Sequence, residues 1–320
     1  MKPVHSILAT ALVIISSSLF AQTNNQLRFT TSAELAKAKQ KYLPPTDKDK
    51  QSIRNAVTAT SNGYLEGDID AVLKSYSDQS LELYPNQMAN AGTGNIRNRL
   101  NGAFRNGSFT KMDRTIESIH GVGPIALALG KTESVYKSNW DGKLYEDHRN
   151  DIFLFRKQED GQWKILLHHW ITDEAGNGKP SDDAASIRQR IDAWSFFARP
   201  GEVLSAEHVE KYASNYSAQA VEILPNQWSN FGIANIRLRN SGSIGATWAQ
   251  CTGYNFEINS FATVGPDGFS KRAVAWGIGD HSNYSQGSSD LSQYLFPWAM
   301  ILTKESDGQW RILTYHFYLD

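Results

Sequence analysis

Apolar residues at Ile53, Val57, Thr60 and Tyr64 recur at the spacing of one helical face behind Thr46, which predicts a capped helix. The pattern returns at Ile187, Ile191, Trp194 and Ala198 behind Ser181, with Asp182 and Asp183 where a helix dipole favours negative charge. A short second helix follows each time, over 68–76 and 205–216. Next comes an alternating strand, 80–84 and 220–224. Leu81 and Leu83 (Val221 and Ile223) face one way, Glu82 (Glu222) faces the other, and Pro85 and Pro225 end it. A loop of Asn, Gln and Gly leads to a third helix with Asn95 and Asn235 as N-caps and Arg97, Arg99, Arg237 and Arg239 in the first turns. From 109 to 173 and from 254 to 320 the pattern is of strands broken by turns, such as Val122-Gly123-Pro124, Val264-Gly265-Pro266 and Trp140-Asp141-Gly142-Lys143. Helices first and strands afterwards, twice over, predict an α+β fold rather than a doubly wound sheet.

The doubling extends to individual residues. Residues 76–99 (YSDQSLELYPNQMANAGTGNIRNR) reappear at 216–239 (YSAQAVEILPNQWSNFGIANIRLR). The shared positions are mostly polar: Glu82/Glu222, Asn86/Asn226, Gln87/Gln227, Asn90/Asn230 and Arg97/Arg237. Packing alone preserves aliphatic residues, so this polar set is the candidate chemistry. Asp160-Gly161-Gln162-Trp163-Lys164-Ile165-Leu166 and Asp307-Gly308-Gln309-Trp310-Arg311-Ile312-Leu313 form a further echo, each followed by a histidine, His169 and His316. Two tandem domains result, 46–173 and 181–320, joined by a Gly-rich linker at 174–180. Residues 22–45 read as a tether or strap with a short helix, stopped by Pro44-Pro45.

The N-terminus changes the picture of the compartment. Lys2, an apolar stretch over 7–20 and Leu19-Phe20-Ala21 have the order of a signal peptide cleaved before Gln22, which predicts export to the periplasm or medium. The stretch is short of a membrane span, so stable membrane insertion is not expected. A net charge of −1 without long single-sign runs gives no footprint for nucleic acid. The single cysteine, Cys251, allows no intramolecular disulfide and reads as a small apolar core group.

The order helix, helix, strand, helix, meander, closed by Asp-Gly-x-Trp-Lys/Arg-Ile-x-x-x-His at Asp160 to His169 and at Asp307 to His316, resembles the nuclear transport factor 2-like superfamily in its SnoaL-like branch. The resemblance covers almost all of the mature chain, as two tandem copies. It implies cone-shaped domains in which helices pack on a strongly curved antiparallel sheet with a pocket at the open end. Members include polyketide cyclases, ketosteroid isomerases, dehydratases and non-catalytic modules, so the fold does not decide the function. Such domains often pair through their sheets, which implies an internal pseudo-dimer and admits a homo-oligomer. The family's catalytic residues do not map onto this sequence one by one.

From the residues themselves, Glu82 and Glu222 are candidate acid/base carboxylates, with ion pairing to Arg97 or Arg99 (Arg237 or Arg239) as the alternative. His169 and His316 are candidate proton shuttles, with structural hydrogen bonding as the alternative. His168, matched by Tyr315 in the second copy, reads as outward-facing. Asn86, Gln87, Asn90, Arg97 and their counterparts Asn226, Gln227, Asn230 and Arg237 are candidate ligand contacts, as is Trp228, which replaces Met88. No sequence pattern has metal-ligand spacing or a nucleotide-binding loop, and no cofactor is expected. Two functions stay open. One is binding of a small, mostly apolar molecule bearing a carbonyl or hydroxyl, with metal-free isomerase, cyclase or dehydratase chemistry attached. The other is a non-catalytic envelope module whose repeated polar residues are structural.

Overall fold

The computed structural model describes residues 37–84, 89–172, 183–195, 203, 205–224, 229–242, 251–264, 272–284 and 291–318. The apolar stretch over 7–20, the segment 174–180 and the loops carrying Asn86, Gln87, Asn226, Gln227 and Trp228 lie outside these residues. The first copy opens with α1 (Asp47–Glu66), where Thr46 and Asp49 form a reciprocal capping box and Ile53, Val57, Thr60 and Tyr64 are buried as their spacing requires. Gly67, at φ 69°, closes the helix, and Asp68 then caps α2 (Ile69–Lys74). After β1 (Tyr76–Leu83) and β2 (Asn90–Ala91) come α3 (Gly92–Asn106) and four long strands, β3 (Gly107–Val122), β4 (Ile125–Ser138), β5 (Leu144–Lys157) and β6 (Trp163–Thr172).

The second copy repeats the order with α4 (Asp183–Ser195), α5 (Ala206–Ala213), β7 (Tyr216–Ile223), β8 (Asn230–Phe231), α6 (Gly232–Ser241), β9 (Cys251–Val264), β10 (Arg272–Tyr284), β11 (Leu291–Lys304) and β12 (Trp310–Phe317). Each copy holds one six-stranded sheet, in the orders β2-β1-β6-β5-β4-β3 and β8-β7-β12-β11-β10-β9. Among the described residues no helix is long and apolar enough to cross a membrane.

Two expectations need correction. The sheets are mixed rather than antiparallel, because β1 pairs parallel with β6 and β7 parallel with β12. Parallel neighbours need a long crossover, and the third helix and meander supply it. The third helices begin at Gly92 and Gly232, three residues earlier than expected, with no side-chain cap. Asn95 and Asn235 are in their first turns, and their amides donate back to the Ala91 and Phe231 carbonyls at 2.7 Å.

Strand alternation sorts the buried residues into three clusters. One lies between α1–α3 and the inner face of the first sheet, with Ile53, Tyr64, Ile96, Phe153 and Trp163. A second, in the other copy, is richer in aromatics, with Trp194, Tyr212, Tyr216, Phe296, Trp298 and Tyr315. The third draws on both copies: Leu81, Leu83, Leu127 and Leu154 pack with Val221, Ile223, Val274 and Trp276. Ala38 and Tyr42 of the N-terminal strap join this cluster, and the Tyr42 hydroxyl donates to the Leu295 carbonyl of the second copy at 3.4 Å. The strap therefore touches both copies. His120 stacks on Trp276 across the same boundary, centroids 4.6 Å apart.

Candidate functional site

Glu82 is fully buried on the helix-facing side of β1 and is engaged on both oxygens. Arg99 donates from Nε to Oε2 at 2.9 Å and from Nη2 to Oε1 at 3.0 Å, while Tyr76 and Tyr84 add their hydroxyls. Glu222 repeats this with Arg239 at 3.0 Å and with Tyr212 and Tyr216 at 2.9 and 2.8 Å. Of the two arginines that the sequence offered each Glu, the partners are Arg99 and Arg239. Two residues along the helix put Arg97 and Arg237 on a different face, where they point to exposed Asp70 and Glu210 instead. Arg97 and Arg237 thus form surface pairs rather than lining an inner site. Asn90 and Asn230 sit opposite the glutamates in the strand pairing, and Asn230 Nδ2 lies 3.4 Å from Glu222 Oε2.

The histidines divide differently from the expectation. The parallel pairing sets Leu83 beside His169 and Glu82 beside His168, and cross-strand neighbours share a face. His169 therefore lies with Leu81 and Leu83 on the face that meets the second copy. Its Nδ1 donates to the Leu83 carbonyl at 3.3 Å, and its Nε2 accepts from Arg272 of the other copy at 3.1 Å. His316 likewise donates from Nδ1 to the Ile223 carbonyl at 2.8 Å. Burial pushes His169 down to about 3 and His316 down to about 4, so both are neutral at physiological pH. Neither shares a face with the glutamates.

His168, read from the sequence as outward-facing, is fully buried on the inner face. Trp170 donates its indole N–H to His168 Nδ1 at 2.7 Å, which fixes the proton on Nε2, and Nε2 donates to Asp151 Oδ1 at 3.0 Å. The imidazole stacks on Phe153, centroids 4.1 Å apart, and burial pushes it down to about 4 despite the carboxylate beside it. Burial works to raise the Asp151 carboxyl, but the hydrogen bond from His168 and the charges of Arg114 and Arg149 hold it below the usual carboxylate range. Thr132 donates to the other Asp151 oxygen. The Tyr76 hydroxyl, 3.3 Å from His168 Nδ1 and 3.2 Å from Glu82 Oε1, joins the Asp–His pair to the Glu–Arg pair.

At the half-buried end of this chain stand Trp170 and Tyr84, in edge contact at 4.3 Å. Two guanidiniums flank the indole, Arg149 at 4.2 Å and Arg99 at 5.2 Å from its centroid. The site is thus Glu82, Tyr84, Arg99, Arg149, Asp151, His168 and Trp170, of which Glu82 and Arg99 belong to the repeat. The rest occur in one copy only.

Strand register shows what replaces them. Asp151 pairs with Trp170 and Trp298 with Phe317, at matching places in β5–β6 and β11–β12. By the same matching Arg149 corresponds to Phe296, Thr132 to Gly279 and His168 to Tyr315. In the second copy the ring of Phe296 covers Gly279 closely enough to leave no room for a Cβ there. The polar side chains at these positions of the first copy give way to aromatic rings, and to Gly279, in the second.

No protein-family model matches the sequence, and no curated protein matches it either. Solved structures similar to part of the chain include a ketosteroid isomerase-like protein from Erwinia carotovora atroseptica. It is 20% identical with a TM-score of 0.37, over 39% of this chain and 96% of that one. A nuclear transport factor 2-like superfamily protein from Salmonella enterica is 17% identical with a TM-score of 0.36, over 41% and 96% of the two chains. A Nostoc punctiforme protein of unknown function with a cystatin-like fold is 14% identical with a TM-score of 0.35, over 41% and 95%. The structural neighbours include nuclear transport factor 2-like proteins. Neighbours of the nuclear transport factor 2-like kind each span about one copy's length of this chain. The tandem arrangement itself rests on the internal repeat and on a strand order that occurs twice.

Proposed function

We propose that this is an exported tandem binding protein in which the first copy receives a small, mostly apolar molecule bearing a carbonyl or hydroxyl, and the second copy is a filled scaffold. The observation that carries this reading is the asymmetry of the two interiors. Arg149, Asp151, His168 and Trp170 in one copy face Phe296, Trp298, Tyr315 and Phe317 at the same positions in the other. Duplication followed by packing alone has no need of a buried polar set in one copy, since aromatic residues fill the same positions in the other without it. Buried polar groups are costly unless hydrogen-bonded, and in the first copy Arg114 Nε and Nη2 and Arg149 Nε are enclosed without an acceptor.

Binding is favoured over acid/base catalysis by the state of the candidate bases. The Glu82 and Glu222 carboxylates are engaged by arginine and tyrosine, and the His168 lone pair already accepts from Trp170. The glutamate pairs recur in both copies and hold the third helix to the sheet. The shared cluster of Leu81, Leu83, Val221 and Ile223 supports an internal pseudo-dimer, with the copies packed sheet to sheet. Export rests on the apolar stretch over 7–20.

The test is a thermal-shift screen of small aromatic ketones, phenols and acids on the full chain. Compounds that raise Tm on the wild type should do nothing to Trp170→Ala and act unchanged on Phe317→Ala. Hits that are lost in Phe317→Ala and kept in Trp170→Ala would put binding in the wrong copy.

A further inference from the structure

Arg114 on β3 and Arg149 on β5 flank Thr132 on β4 in one register row, so all three side chains share the inner face of the first sheet. Arg114 Nη1 donates to Thr60 on α1 at 2.8 Å, and its guanidinium lies 4.9 Å from the centroid of the Tyr64 ring. Its Nε and Nη2 are enclosed and meet no acceptor, and the same holds for Arg149 Nε. Nε and Nη2 are the two atoms whose N–H bonds run parallel along one edge of a guanidinium, the edge that takes a carboxylate in a side-on fork.

The carboxylates nearby do not fill that edge. Asp151 is engaged by Thr132 and His168, and it stays 3.7 Å from Arg149 Nε. Glu82 is engaged by Arg99, Tyr76 and Tyr84. Asp147 pairs with Arg149 Nη1 from a half-exposed position. Among the described residues, Arg114 has no carboxylate partner. Among the described residues of this face, Glu82 takes Arg99, and Asp147 and Asp151 stand beside Arg149, which leaves Arg114 as the guanidinium with its fork open. Buried charges are ordinarily paired, so a guanidinium whose fork is enclosed and unfilled is a feature of recognition. The second copy lacks it: the register positions of Arg114, Thr132 and Arg149 are Phe256, Gly279 and Phe296.

We propose that the first copy binds its ligand through a carboxylate seated on the Nε/Nη2 edge of Arg114, with Arg149 Nε as the neighbouring donor. One guanidinium with an open edge, beside the Asp151 carboxylate, suits a monoanion. A dianion such as phosphate would leave one charge unmatched and repel Asp151. The organic part then extends toward Trp170 and Tyr84, whose rings give it apolar area. This inference rests on the reading of the first copy as the binding one, and it narrows the ligand to small organic carboxylic acids.

The test uses the full chain with acetate, benzoate and 4-hydroxybenzoate, each at constant ionic strength against chloride, with benzamide as the uncharged counterpart of benzoate. At least one aromatic carboxylate should raise Tm by roughly 2–4 °C at saturating concentration, and benzamide should not. Arg114→Met should weaken binding by roughly 10- to 100-fold in calorimetry, with Arg114→Lys intermediate because it keeps charge without the fork. Arg97→Met, in an exposed pair, should bind as the wild type does. Arg114→Met should itself melt no lower than the wild type in chloride, which separates lost binding from lost folding. The inference is overturned if no carboxylate of the series stabilises the wild type more than chloride does, or if Arg114→Met keeps the stabilisation. If benzamide and benzoate act alike and both lose their effect in Trp170→Ala, the carboxylate fails while small-molecule binding in the first copy stands.

Discussion

At the scale of single residues, Glu82 decides how the repeated polar set is understood. Its carboxylate has exchanged water for two guanidinium N–H groups and two tyrosine hydroxyls inside the domain. Breaking such a pair from one side leaves a buried charge without its counterpart. Glu82→Gln should therefore cost about 2–4 kcal/mol in urea unfolding, and Glu222→Gln a similar amount. A loss below about 0.5 kcal/mol for either would mean the pair is dispensable to the fold. The repeat made this pairing legible, because a duplicated Glu came with a duplicated Arg three positions beyond the repeated Asn-Ile. His168 was not legible from the repeat, since its counterpart is Tyr315 and a comparison of copies discards what differs. The signal available was alternation: His168-x-Trp170 and Tyr315-x-Phe317 each put two large rings on one face of a strand. Register between β1 and β6 then decides which face, and sequence alone does not supply that register.

Among the elements, the helix starts and the turns follow local chemistry closely. Thr46 and Asp49 cap α1 reciprocally, and Asp49 also accepts from Trp163 Nε1 at 2.9 Å and Lys157 Nζ at 2.8 Å, tying the helix start to β5 and β6. Thr46→Ala should cost about 1 kcal/mol, measurable as a lower urea midpoint with an unchanged slope. Gly123 joins β3 to β4 at φ 57°, and a Cβ there would sit 2.7 Å from the Tyr42 ring. Gly123→Ala should therefore destabilise the chain and release the strap at the same time. Faster proteolysis between residues 37 and 46 than in the wild type would report it. The third helix starts before the Asn that its sequence offers as an N-cap. Here Asn95 instead turns its amide back to the preceding turn, while Gly92 at φ 79° sits where the chain enters the helix.

For the molecule as a whole, the two copies meet through apolar strand faces that also hold His169 and His316. Both histidines are neutral when folded, with values near 3 and 4, whereas an unfolded histidine titrates near 6.5. The unfolded chain therefore binds more protons between those limits. Their contribution to stability is complete above about pH 6.5 and is lost as pH falls toward 4 and then 3. His168, also near 4, acts in the same direction inside the first copy. Tm should fall on acidification through this window, and His169→Gln with His316→Gln should flatten the fall. A slope unchanged by the double substitution would remove the boundary histidines from the account. The tandem architecture and the two α+β copies were readable because the repeat is long and its turns are chemically distinct. The pairing of the copies was implied only by the resemblance, and the faces that meet were not readable, since an apolar run such as 152–155 does not say which face meets a helix and which meets a second sheet.

The central claim is that the first copy alone receives a ligand, and the indole N–H signals of the full chain test it most directly. Trp170, whose N–H is held by His168, can be assigned by its absence in Trp170→Phe, and Trp298 by its absence in Trp298→Phe. On titration with an aromatic carboxylate that raises Tm, the Trp170 signal should shift in a saturable way while the Trp298 signal stays in place. A saturable shift of Trp298 with Trp170 unmoved would contradict the account.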